Sequence, residues 1–344
     1  MAYTTINKSS DHFNAKLYTG TGSSNAITGV GFQPDWVWIK ERNGGGGHNI
    51  FDAVRGTGKV IYANATNAEV TDAQTLSAFG SDGFTVGTNT NVNENGLNHV
   101  AWNWKANGAG SVDSSSGSIS ATVSANTTAG FSIIKFTNPA SGNFTIPHGL
   151  GVVPEMLFFK CTGGVQSWFV LHKDLSSFTD RYLRLQTDVA EVTYSMQTQA
   201  PTSTLLYLNS GGVSNANTET ICYAFASKTG YSKFGKYIAN ASTDGTFIYT
   251  GFKPKFLMVK RINQAAPWSM IDASRNIYNP ANLELTANTA GTEANQGDGC
   301  DFLSNGVKLR DSADMNSGNA DSFMYMAFAA APLVGTNNIP ATAR

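Results

Sequence analysis

Charged side chains are scarce in this sequence. Asp, Glu, Lys and Arg make up 14% of its 344 residues, against roughly 25% in ordinary soluble domains. The two signs nearly cancel, leaving a net charge of −1, so no broad positive field exists to gather nucleic acid or anionic lipid. Cysteine is limited to Cys161, Cys222 and Cys300, an odd number without Cys-x-x-Cys spacing, which implies neither a disulfide framework nor a thiolate metal site. No apolar run approaches the roughly 20 residues that span a bilayer. The opening stretch from Met1 to Lys8 lacks a secretory apolar region. The expectation is a protein made in a cytoplasm without a signal peptide, with no membrane insertion and no nucleic-acid partner.

What is plentiful fills the gap left by charge. Asn, Ser and Thr supply uncharged polar surface, and 35 glycines accompany a hydrophobic fraction of 41%. That mixture suits strands and turns better than helices, so the expected class is all-β. Short helical pieces, for example Thr71 to Phe79, are the only exceptions expected.

The chain repeats itself. Gly31-Phe-Gln-Pro34-Asp-Trp36-Val-Trp38-Ile-Lys40 returns as Gly151-Val-Val-Pro154-Glu-Met156-Leu-Phe158-Phe-Lys160. It returns again as Gly251-Phe-Lys-Pro254-Lys-Phe256-Leu-Met258-Val-Lys260. The register continues through His48, Trp168 and Trp268, then Asp52, His172 and Asp272, then Arg55, Leu175 and Arg275. Each copy closes on a second apolar stretch: His99 to Trp104, Thr220 to Phe225, and Phe323 to Phe328. The reading is three tandem β-sandwich-like modules of about 100 residues, at 16–106, 125–227 and 228–333. A Gly/Ser linker at 107–124, flexible by composition, separates the first two. An N-terminal arm, 1–15, and a C-terminal tail, 334–344, lie outside the repeat and are free to contact other subunits.

In the stretch after each proline, alternate residues face opposite sides, and both sides are apolar. Such a strand is covered on both faces, central in a sandwich or bearing a partner on its outer face. Gly31, Gly151 and Gly251 supply the preceding turn, and Pro34, Pro154 and Pro254 open the strand where no ladder donor is required. Lys40, Lys160 and Lys260 could be catalytic, but they read as strand-end lysines with solvated ammonium groups, paired with the acid twelve residues on where there is one, Asp52 or Asp272. These nine residues are structural anchors.

Chemistry is hard to find. His12, His48, His99, His148 and His172 show no helical i, i+4 pair, and no cofactor or metal is called for. The single nucleophile pairing on offer, Cys161 with His172, rests on neighbouring strands alone. Trp168 and Trp268 are candidates for stacking on a sugar, with core packing the competing role. The Asn-rich loops Gly87 to Gly96, Leu208 to Asn217 and Asp311 to Asp321 suit a saccharide or calcium ion, or equally plain Asx-turns. The polar residues differ between copies while Gly, Pro and the apolar positions recur, which is repetition for geometry and not for catalysis.

The opening, Tyr3-Thr-Thr-Ile-Asn-Lys8 and Asp11-His-Phe-Asn-Ala-Lys-Leu-Tyr-Thr-Gly20, resembles that of virion structural proteins of marine tailed bacteriophages such as cyanophages. So do the repeated strand and the close, Met324-Tyr-Met-Ala-Phe-Ala-Ala-Ala-Pro-Leu333 with Asn-Asn-Ile-Pro-Ala-Thr-Ala-Arg344. The resemblance implies a non-enzymatic tail-fibre, tail-associated or capsid-exposed protein located in the virion. Its partners would be other virion proteins and a host-surface glycan, with a homo-oligomer, a trimer, as the expected assembly. The alternative is a saccharide-binding adhesin module outside any virion.

Overall fold

The computed structural model describes residues 4–334, and the fold is all-β. Among the described residues helix is confined to single turns at Thr90–Asn93 and Ser210–Val213 and to 3-10 turns at Ser9–Asp11 and Asp314–Asn316.

The same four-stranded arrangement occurs three times. The first sheet contains β1 (Phe13–Thr19), β2 (Trp36–Glu41), β3 (Asn49–Asp52) and β4 (Asn98–Trp104), in the order β1-β4-β2-β3. The second contains β5 (Phe131–Thr137), β6 (Met156–Cys161), β7 (Phe169–His172) and β8 (Glu219–Phe225), in the order β5-β8-β6-β7. The third, from β9 (Ser232–Ile238), β10 (Phe252–Arg261), β11 (Trp268–Asp272) and β12 (Ser322–Pro332), runs β9-β12-β10-β11. All of these pairings are antiparallel, and the registers correspond: Trp36 faces Trp104, Met156 faces Phe225, and Phe256 faces Phe328.

Turn chemistry sets up each central strand. Gly31, Gly151 and Gly251 all take positive φ, +93°, +71° and +80°, a region that an L side chain resists. Pro34 and Pro154 lie just before their strands. Pro254 does not: β10 begins at Phe252, and the proline sits inside it at register shifts against β12. A bulge there removes the need for its missing donor.

Alternation along the central strands divides the side chains between two cores. Trp36 and Trp38 enter a common core, while Val37 and Ile39 enter one belonging to the first sheet. Met156 and Phe158 join the common core as Leu157 and Phe159 turn away; Phe256 and Met258 do so as Leu257 and Val259 turn away. On the far side lie smaller sheets in the first two copies, Asn25–Thr28 with Gly83–Val86 and Leu76–Gly80, and Asn143–Pro147 with Leu205–Asn209; in the third the sheet itself continues through Ala281–Thr286 and Ala294–Leu303 to Gly306–Leu309 and Phe247–Tyr249. The outer faces of the central sheets are therefore covered by each other, within one chain.

The common core is dense in rings. Trp36 lies 4.4 Å from Trp104, 4.7 Å from Tyr223 and 5.6 Å from Phe131, centroid to centroid. Phe328 reaches Phe13, Trp104 and Phe225. At ~25 cal/mol per Å² and ~150–250 Å² per ring, each buried aromatic contributes at most about 4–6 kcal/mol.

Several expectations need correction. The segment 107–124 is no free tether: Ser111–Asp113 pairs with Ala121–Asn126, which pairs with β5, and the amide of Ala106 donates to Asp35. Unpaired ladder groups at the edge of the second sheet find partners there, so position 125 cuts through a strand. The arm is likewise packed. Ile6 and Phe13 are buried in the common core, Thr4 donates to the carbonyl of Thr229, and β1 crosses the boundary at 16. Thr71 to Phe79 forms no helix but contributes to strands Val70–Thr71 and Leu76–Gly80. Of the tail, residues 335–344 lie outside the described residues.

Candidate functional site

The positions that recur in sequence build the joints between sheets. The indole of Trp168 donates to the carbonyl of Tyr62 at 2.8 Å, and that of Trp268 to Arg184 at 2.9 Å. His48, the equivalent residue of the first copy, places Nε2 3.1 Å from the carbonyl of Thr286. Second thus joins first, third joins second, and first joins third. Backbone bonds follow the same cycle: Glu69 to Thr162, Glu191 to Ile262, and Glu293 to Arg42. Head-to-tail contacts of one kind that return to their start form a closed ring.

Four residues on, the ring carries polar pairs. Asp52 accepts from Arg55 Nε at 2.5 Å and from Tyr223 OH, across the joint, at 2.7 Å. Asp272 accepts from Arg275 Nε at 2.5 Å and from Trp102 Nε1, across another joint, at 3.0 Å. Burial would raise the carboxyl of Asp272, but Arg275 and the indole hold it below its ordinary range. Arg55 also reaches Glu69, and Arg275 reaches Glu293. The second copy has His172 and Leu175 instead. Tyr223 and Trp102 correspond in register to Met326, opposite Met258, and a thioether donates no hydrogen bond. A buried carboxylate there would lack its cross-joint donor, which accounts for a histidine that burial keeps neutral, lowered to about 3.

Lys40, Lys160 and Lys260 are fully buried, contrary to the expected solvated ammonium groups. Lys160 donates to the carbonyls of Thr66 and Gln166, and Lys260 to those of Asp188 and Arg261. Lys40 donates to Glu41 and Gly44. None pairs with the residue twelve on: Asp52 lies opposite Trp36, His172 opposite Met156 and Asp272 opposite Phe256, four residues along the strand from each lysine. Burial lowers all three to about 8.

Other candidates fall to structural roles. Trp168 and Trp268 have no exposed surface, so neither can stack on a sugar; their indole N–H groups are needed at the joints. Cys161 and His172 do not meet: His172 lies opposite Met156 at the far end of β6 from Cys161, about 17 Å along the strand at ~3.3 Å per residue. At the Asn-rich loops, buried amides serve the backbone, two from within a loop and Asn138 from outside it. Asn93 bonds Gly87, Ser23 and Thr21; Asn138 bonds Ser210, Ser214 and Asn215; Asn316 bonds Ser242 and Asp311. Among the described residues no group of three or more His, Cys, Asp or Glu is placed to hold a metal ion, and no helix is long and apolar enough to cross a membrane.

The ring has a cleft on its surface where the second copy meets the first. It encloses about 460 Å³ and is lined by Gln166, Ser167, Phe169, Tyr182, Arg184 and Tyr194, with Thr66 from the first copy. Phe169 and Tyr182 pack edge to face at 5.0 Å. The ring of Tyr194 is half exposed, its hydroxyl donating to the carbonyl of Gly211. The guanidinium of Arg184 lies over Tyr182, with Nη2 3.2 Å from its hydroxyl. Sequence reasoning did not single out these residues. Tyr182, Arg184 and Tyr194 occupy the stretch that varies between copies, and no local pattern marks residues that meet only through strand pairing.

Comparison with curated proteins and with solved structures found no match. The family described as a domain of unknown function, DUF7483, matches residues 8–332, and this chain belongs to it.

Proposed function

We propose that the chain is a non-enzymatic structural protein of a tailed-phage particle, tail-fibre, tail-associated or capsid-exposed, serving assembly or attachment to the host surface. The observation that carries the reading is the use of the recurring side chains. His48, Trp168 and Trp268 all bond the neighbouring copy, and Asp52 and Asp272 accept from it. Repetition here serves a rigid ring, which suits a particle component that other virion proteins contact. The resemblance of both ends of the chain to virion structural proteins supports the same reading.

The test is electron microscopy of purified particles labelled with antibody against this chain. Label on the tail or capsid is expected. Particles free of label, from a culture in which the chain is expressed, would remove the reading.

A further inference from the structure

We propose that the cleft between the first and second copies binds a pyranose ring bearing a carboxylate, a hexuronic acid or an oligosaccharide containing one. The proposal deepens the attachment reading, which needs a receptor site and has lost both tryptophans as candidates.

Three observations point to this ligand. The first is an arginine without an anion. Among the described residues no carboxylate lies within ion-pair reach of Arg184, its side chain makes one hydrogen bond, and Nε is buried without a partner. No Asp or Glu lines the cleft. Arginine offers a planar fork that matches a carboxylate, and a buried donor left unmade is unfavourable until something accepts from it.

The second is the mixture of ring and free polar groups. Tyr194 offers a half-exposed face for the C–H side of a sugar. The side chains of Gln166 and Ser167 hydrogen-bond to no described residue and line the same cleft. The volume of about 460 Å³ falls within the roughly 300–1,000 Å³ of small-molecule sites.

The third is the departure from repetition. Tyr62, Arg184 and Thr286 are equivalent, since their carbonyls take the same joint bond. Two residues earlier stand Val60, Tyr182 and Glu284, and next after the joint residues His48, Trp168 and Trp268 stand Asn49, Phe169 and Ser269. Only the second copy combines aromatic rings with a cation; the third puts a buried carboxylate, Glu284, where an acid would be repelled. The scaffold is kept in all three while this combination occurs once.

The test is isothermal titration of the full chain with galacturonate and glucuronate oligomers, against a neutral oligomer of equal length and sodium acetate. The acidic oligomers are expected to bind at least tenfold more tightly than the neutral one, and acetate alone weakly. Arg184→Gln should lose tenfold or more and Tyr194→Ala about fivefold, with thermal midpoints unchanged. Arg184→Lys should recover part of the loss. Absence of binding at millimolar sugar, or equal affinity in wild type and Arg184→Gln, overturns the proposal, and preference for acetate over the sugar does so too. Particle labelling is read without sugar, so a failed titration beside labelled particles removes the ligand and not the location.

Discussion

The phenol of Tyr223 donates a 2.7 Å hydrogen bond to Oδ2 of Asp52, 171 residues away, and both groups are fully buried. The oxygen that accepts it also accepts from Arg55. One carboxylate therefore fastens a turn within its own copy and a joint to the next.

Tyr223→Phe should destabilise the chain by about 1–2 kcal/mol, the loss of one bond to a charged acceptor. Asp52→Ala should cost more, about 3–5 kcal/mol, because it leaves the Arg55 guanidinium buried with only Glu69 as counter-charge. Urea unfolding of both variants checks the order; equal losses would contradict the shared-carboxylate account.

A shared core implies shared unfolding. Residues 1–106 produced alone would expose Trp36, Trp38, Trp102 and Trp104, now buried against the other copies, and should aggregate or bind a hydrophobic dye. The full chain should unfold in one calorimetric transition with matching van't Hoff and calorimetric enthalpies. Three separable transitions would show that the common core does not couple the sheets.

The three buried lysines predict an alkaline gain. Their folded-state value of about 8 lies below the ordinary 10.5. Above pH 8 the unfolded chain therefore holds more protons, and stability rises with pH. Above about pH 9, burial of Cys222, Tyr223 and Tyr231, each raised, acts in the opposite sense. Between pH 7.5 and 9 the urea midpoint of wild type should climb more steeply than that of Lys160→Met. Parallel curves for the two proteins count against a buried ammonium.

The second copy can be asked to accept the pair it lacks. His172→Asp alone should cost about 3–5 kcal/mol, a carboxylate buried without a cation. Adding Leu175→Arg should recover much of it, with a double-mutant coupling of about 1–3 kcal/mol. Recovery should stay incomplete, because Met326 offers no cross-joint donor. A coupling near zero would mean that β7 differs from β3 and β11 in more than side chains.

What the sequence determined unaided is local. Period-two alternation from Trp36 to Ile39 and its two counterparts marked strands covered on both faces, and the Gly-x-x-Pro turns located the starts of the first two, because pleat geometry and positive φ act within a few residues; the third begins at Phe252, ahead of its proline. It equally showed that Gly, Pro and the apolar positions recur between copies while most polar residues differ.

Only the tertiary structure decided what covers those faces. The partner of Trp36 is Tyr223 and that of Phe13 is Phe328, choices set by packing between segments hundreds of residues apart. Separation in sequence likewise hid the work of the two indoles, whose acceptors lie 106 and 84 residues away, while burial of the lysines and the gathering of Arg184, Tyr182 and Tyr194 in one cleft follow from how the strands pair and pack. A side chain's residue type shows which bonds it can make; the closed ring determines which of those bonds are already made and which remain open to a ligand.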